Sequence, residues 1–451
     1  MAFAKSPSDT HTKLTCDQLL ERSEMVPYDF PLESNRLKTI LSDRTRGTAS
    51  DIRAQCEEFA RETLPVMHED LKEHIRGYLE LFDSSYPGWS VNDFVNHLIK
   101  RRPLAFLNTH DNYLKQDGTK GVGWKHIEKG GEYLCYEEIE FSALVALAIP
   151  TFFINSGGRF NKGKTNTDLS SYTNHGWYHA AAGSRMEKPG YMEWKHSVVT
   201  KIQNTEANGY GSESNNVVLA HWARFYGLEN FPTWNDVSEF VNVNPEQPRY
   251  ICMKDGSFFD THVYARRIEL AIFPYLLQAE TVGKKDQKKV FCHLSGIGLG
   301  YWIPSGVAQS IPSKIFVDVV LKLVQTHRFN WLHTLNFSWF NDYLDEKPES
   351  ITSATGVCCS VAFNHRDPAD PVPNDTVLYA LFAWDGNSYL GNEYWIGKLT
   401  ASGDPAAASS SCIAELGNPD INPENVCGEK TKFLGPYILD LEQQAPTGTT
   451  Q

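Results

Sequence analysis

The chain reads as an α/β protein with a parallel sheet behind a helical N-terminal region, and three observations predict this. The short apolar run Lys289 to Leu294 passes directly into Ser295-Gly-Ile-Gly-Leu-Gly300, and an amphipathic helical pattern over Ser313 to His327 follows. Two further apolar runs come after it, Trp331 to Phe340 and Thr376 to Trp384, the second ending on Asp385. Strand, glycine loop, helix, strand is the order that makes successive strands parallel and places ligand loops at their carboxyl ends. Between Leu37 and Lys100, by contrast, apolar residues recur at three and four positions, as in DIRAQCEEFARETLPVMHEDLKEHIRGYLELF, which is a helical period.

Taken in order, residues 1–15 read as disordered. Pro65 is expected to divide the 37–100 pattern into two helices. Ser90-Val-Asn-Asp93 is a capping box in front of the amphipathic segment NDFVNHLIKRR. Residues 16–110 are therefore taken as a helical domain. From about Asn108 glycine, asparagine and aromatic residues rise. Tyr136 to Pro150 is expected to be a helix ended by its proline, and residues 155–193 read as loops. Helices are expected over Asn215 to Tyr226, Trp234 to Val241, and Asp260 to Glu280 with a kink at Pro274. The larger domain spans 111–435, and residues 436–451 read as a flexible tail.

Composition excludes several function classes. The 451 residues carry 42 basic and 55 acidic side chains, a formal charge of −13, and show no long Lys/Arg run. A nucleic-acid binder normally presents a basic face, so no nucleic-acid partner is expected. No stretch approaches the roughly 20 apolar residues of a membrane helix, so no membrane partner is expected. The first residues, MAFAKSPSDT, lack the apolar core of a secretory signal. Nine cysteines without a Cys-x-x-Cys pair argue against a disulfide framework or structural zinc and for a reducing, cytoplasmic setting. An anionic ligand on so acidic a chain has to be held by backbone N–H groups.

The loop Ser295, Gly296, Ile297, Gly298, Leu299, Gly300 is suited to that. Alternating glycines let the backbone approach a ligand, and successive N–H groups can cradle a pyrophosphate. From the loop alone, a tight connection with no ligand is an equal reading. The G-x-G-x-G spacing differs from the dinucleotide fingerprint. A second constellation is Trp384-Asp385-Gly386-Asn387-Ser388-Tyr389, where a strand delivers a carboxylate and an amide into a glycine-flanked loop suited to sugar hydroxyls. An ordinary Asp-Gly turn is the plainer alternative. A third is the acidic run Asp367, Asp370, Asp375, in which Asp370 reads as solvated. Arg159, Lys162, Lys164, Arg185 and Lys188 fit phosphates as a group but surface charge individually. Asp404-Pro405 reads as a structural helix start. His175 and His179 have helical spacing in a loop-like context; no metal and no cofactor is expected.

LSGIGLGYW and AWDGNSYLGNEYW resemble the phosphate and sugar loops of macrodomains, in an unusual order that implies an atypical, macrodomain-like three-layer α/β/α sheet. Together with EYLCYEEIEFSALVALAIPTFFINSGGRFN, GSRMEKPGYMEW and GDPAAASSSCIAELGNPDINPENV, they resemble the MavL-like ADP-ribosylhydrolases between about Tyr133 and Val426. The resemblance implies a hydrolase that frees arginine side chains of proteins from ADP-ribose, with ADP-ribose and ADP-ribosylated protein, ubiquitin among the candidates, as partners. It carries the charged site residues onto Asp367, Asp375 and Asp385. Asp375 and Asp385 are then expected to flank the distal ribose as the catalytic pair, Asp367 and Asn387 to bind ligand, and residues 295–300 to hold the pyrophosphate. A reader that binds ADP-ribose without cutting it, or a hydrolase of another ADP-ribose linkage, would use the same pocket.

Overall fold

A computed structural model describes residues 14–107, 112–123, 127–340, 344 and 347–436. The expected disordered start (residues 1–13) and tail (437–451) lie outside the described residues. The molecule is mixed α/β around a nine-stranded sheet. Five neighbouring strands run parallel: Cys358–Asn364, Leu332–Ser338, Lys289–Ser295, Thr376–Ala383 and His175–Ala181, in that spatial order. The short strand Ser350–Thr352 pairs antiparallel outside Cys358–Asn364. On the other side Ala146–Phe152 runs antiparallel to both His175–Ala181 and Leu64–His68, and Lys432–Leu434 closes the sheet.

Side chains alternate between the two faces of these strands, as the period of two requires. Tyr178, Ala180, Phe291, Leu378, Ala380 and Phe382 enter one apolar core with Phe59, Ala407 and Ile413. Trp177, Ala181, Cys292, Leu294, Tyr379 and Leu381 enter another, against the helices Thr261–Asp286 and Ser310–Thr326. The first of these helices is capped by Asp260, whose carboxylate accepts from the N–H groups of His262 and Val263 at 3.0 and 3.3 Å. Pro274 lies inside it.

The strands expected after residue 289 form within one or two residues of their predicted ends, and Ser90 caps the helix Val91–Lys100 with the expected box. Two expectations need correction nearer the N-terminus. Pro65 does separate two helices, Ala49–Glu62 and Asp70–Leu81, but from within a strand, Leu64–His68, so the N-terminal region adds a strand to the central sheet. Tyr136 to Pro150 is not one helix but a helix, Tyr136–Ser142, and then the fully buried strand Ala146–Phe152. Leu64–His68 pairs with that strand only as far as Ala148, so Pro150, which lacks an N–H, lies where this neighbour has ended. His175 and His179 belong to a strand; His179 is buried and hydrogen-bonds through Nδ1 to the Tyr379 hydroxyl at 2.8 Å. All nine cysteines are free thiols, and among the described residues no helix is long and apolar enough to cross a membrane.

Candidate functional site

Lys289–Ser295, Thr376–Ala383 and His175–Ala181 lie side by side, so the loops leaving their carboxyl ends meet at one edge of the sheet. The glycine loop leaves the first. Ile297 and Leu299 point inward and are buried, while Gly296, Gly298 and Gly300 are partly or fully exposed. The N–H groups alternate in the same way. Ile297 N–H donates to Ser295 O at 2.8 Å and Leu299 N–H to Gly296 O at 3.1 Å. Among the described residues, the N–H groups of Gly296, Gly298 and Gly300 have no partner. Gly298 has φ 75°, and a Cβ there would stand 2.9 Å from the backbone N of Ser184. A Cβ on Gly183 would stand 2.3 Å from the carbonyl carbon of Ile297. The glycines thus serve backbone-to-backbone packing between this loop and the one leaving His175–Ala181.

Thr376–Ala383 delivers Asp385, which is half-buried and held by four donors. Its Oδ1 accepts from the N–H groups of Asn387 at 2.9 Å and Ser388 at 3.3 Å, the Ser388 hydroxyl lies 3.1 Å from Oδ2, and the Asn392 amide also donates to Oδ2. Gly386, with φ 70°, turns the corner against Ala143, and the Ser142 hydroxyl donates to its carbonyl.

Arg185 connects the two loops. Its guanidinium lies over the Trp302 ring, 5.1 Å from the centroid, beyond the glycine loop. It pairs with Glu187 at 2.8 Å and donates through Nη1 to the Asn387 amide oxygen. Burial works against its charge, but Glu187 and Asp385 outweigh burial and raise its pKa. Asn387 is 2% exposed, and its amide N donates to Ile139 O at 3.3 Å, so both ends of the amide are occupied. Its amide faces Arg185 and Ile139 O. Behind the loop, Arg102 is fully buried with its guanidinium 4.5 Å from the Trp384 ring centroid. Burial lowers its pKa to about 9 in spite of the nearby Asp385.

Of the other two predicted aspartates, Asp367 also follows the carboxyl end of a parallel strand and Asp375 does not. Asp367 follows Cys358–Asn364 and accepts from the Ser156 hydroxyl at 2.9 Å; a Cβ on Gly158 would meet its carboxylate at 2.6 Å. The 155–161 loop that holds it is tied to residues 401–406 through Ala401 N–H to Arg159 O (3.2 Å) and the Asn161 amide to Ala406 O (2.9 Å). Asp370, read from the sequence as solvated, is half-buried and accepts from Asp367 N–H at 2.9 Å. Asp375 is exposed in the turn that precedes Thr376–Ala383. Ten residues of nearly extended chain separate it from Asp385, roughly 30 Å at about 3.3 Å per residue. The two carboxylates stand at opposite edges of the sheet and do not flank one ribose.

The fold and this edge define a class: an α/β protein whose parallel strands bring an N–H-lined glycine loop, an arginine and a fixed carboxylate to one place. The sequence model described as ADP-ribosylhydrolase MavL-like matches residues 17–445, and the chain belongs to that family of ADP-ribosylhydrolases. Two proteins of Drosophila melanogaster are similar along most of their length. ADP-ribosylarginine hydrolase CG3568 is 28% identical over 433 residues, 89% of this chain and 82% of the relative. ADP-ribosylarginine hydrolase CG2909 is 27% identical over 456 residues, 92% and 87% of the respective chains.

Proposed function

We propose that this hydrolase cleaves the N-glycosidic bond between ribose C1″ of ADP-ribose and the guanidine nitrogen of a protein arginine. The observation that carries the reading is the alternation in residues 295–300, with three unpaired glycine N–H groups beside Arg185, which reaches across to the Asp385 loop. The names of the two relatives support the arginine linkage.

The glycine N–H groups and Arg185 receive the pyrophosphate, neutralising it in a protein of charge −13. Asp385 stands toward the distal ribose. Bond breaking leaves positive charge on the sugar ring, which a nearby carboxylate stabilises. Asp385 accepts a proton from the attacking water as its oxygen bonds to C1″; the bonding pair of C1″–N leaves with the guanidine, which takes up a proton. Asp375 has no part in this step, and Asp367 belongs to the wall that meets the substrate protein. The free cysteines support a reducing, cytosolic setting. ADP-ribosylated ubiquitin is the first protein substrate to try.

Incubation with an ADP-ribosyl-arginine peptide tests the reading by release of free ADP-ribose. Wild type is expected to release it, and glutamate- and serine-linked peptides are expected to persist. ADP-ribose binding with no release from any linkage would make the protein a reader and overturn the assignment.

A further inference from the structure

Asp404 lies in the first turn of the helix Gly403–Ser410, which is buried from Asp404 onward. A Cβ on Gly403 would stand 3.1 Å from Ala383 N, so the helix begins against the end of the strand that delivers Asp385. Asp404 is 5% exposed. Its Oδ1 accepts from Gly391 N–H at 2.9 Å. The Asn392 side chain in turn donates to Asp385 Oδ2. Consecutive residues therefore tie the two carboxyl groups together, Gly391 by its backbone to Asp404 and Asn392 by its side chain to Asp385. The Asp404 Oδ2 is buried with no hydrogen-bond partner.

An ionised carboxylate in that position would leave a desolvated charge beside a second one, which is costly. The surroundings agree: burial first, then Asp385, then Glu393, raise the Asp404 pKa well above the usual carboxylate range, against the Gly391 and Asn392 N–H groups. Arg102 and Arg185 lie near Asp385. A buried carboxyl raised in this way beside a second carboxyl is the neutral member of the pair.

Building on the hydrolase reading above, we propose that Asp404 is a positioning residue that works as a neutral acid: it fixes the Gly391–Asn392 corner and through it aims Asp385 at C1″. It acts on turnover rather than on ligand binding, because the glycine loop and Arg185 do not depend on it.

The test measures kcat and KM for release of ADP-ribose from the arginine-linked peptide, together with calorimetric ADP-ribose binding, in wild type, D404A, D404N and N392A. D404A and N392A are expected to lower kcat about 30-fold or more with KM and ADP-ribose affinity within about twofold. D404N keeps an acceptor for Gly391 and carries no charge, and is expected to restore most of kcat. An active wild type whose D404A variant keeps its kcat, or loses kcat and ligand affinity together, overturns the positioning role alone. So does D404N that falls as far as D404A. A wild type with no turnover on any linkage overturns the hydrolase reading and this proposal with it.

Discussion

The strand Thr376–Ala383 has an aspartate just outside each end, and the two could hardly be treated more differently. Asp375 sits exposed in a turn, whereas Asp385 is gripped by two backbone N–H groups, a hydroxyl and an amide, with two buried or half-buried arginines nearby. Strand direction makes the difference. The carboxyl ends of neighbouring parallel strands release their loops at the same edge, so a residue there inherits partners from other strands. A residue at the amino end meets solvent. Chemistry therefore concentrates at one edge, and the comparison can be broken by experiment.

The largest effect is expected at the two aspartates. D385A should lower ADP-ribose release by about 100-fold or more, in the range of a lost general base. D375A should stay within about twofold, measured as kcat/KM on the same peptide. Equal losses at both would sink the division between the edges.

The glycine loop sharpens the comparison next. G298A forces a Cβ into a left-handed backbone position 2.9 Å from Ser184 N. ADP-ribose affinity should fall about tenfold by calorimetry. G300A, with nothing within 4 Å of the added atom and its N–H retained, should bind within about twofold of wild type. Affinities that move together would mean that glycine packing does not shape the site. R185A should weaken ADP-ribose binding by a similar factor of about ten, and R185K should recover little of it, because lysine cannot hold Asn387, Glu187 and Trp302 at once.

Much of this architecture was legible in the sequence, and the exceptions have physical causes. Lys289–Ser295, Leu332–Ser338 and Thr376–Ala383 are visible because each apolar run is short and bounded by glycine or polar residues, whereas the half-exposed, mixed Cys358–Asn364 gives no such run. LVALAIP reads as helix because a wholly buried strand shows no alternation, and periodicity cannot separate it from a buried helix. Leu64–His68 was hidden because five residues between two amphipathic helices look like a break marked by Pro65. Site residues divide along the same line. The 295–300 loop announces itself because its function is local backbone geometry. Arg185 and Asp404 each looked ordinary, since what distinguishes them is a partner far away in sequence: Asn387 and Trp302 for the arginine, Gly391 and Asn392 beside Asp385 for the acid. Asp375 enters only through the family resemblance, although the apolar strand that carries it away from Asp385 is itself plain to read.

The smallest effect concerns Asp404 and pH. Its pKa is raised in the folded state, and the neutral acid proposed above requires folding at pH 7 to take up a proton that the unfolded chain does not hold. D404N needs none, and should raise Tm at pH 7 by about 2 °C. The advantage should shrink as pH falls through about 4, the ordinary aspartate pKa, and vanish below about 3, where Asp404 is neutral in both states. A constant difference across that range would show that Asp404 is ionised in the folded protein.

The most direct test is a crystal structure with ADP-ribose bound. The pyrophosphate oxygens should lie within hydrogen-bonding distance of the N–H groups of Gly296, Gly298 and Gly300, with C1″ beside the Asp385 carboxylate. ADP-ribose seated at the opposite edge, near Asp375, or on any surface that leaves those N–H groups unpaired, would contradict the account.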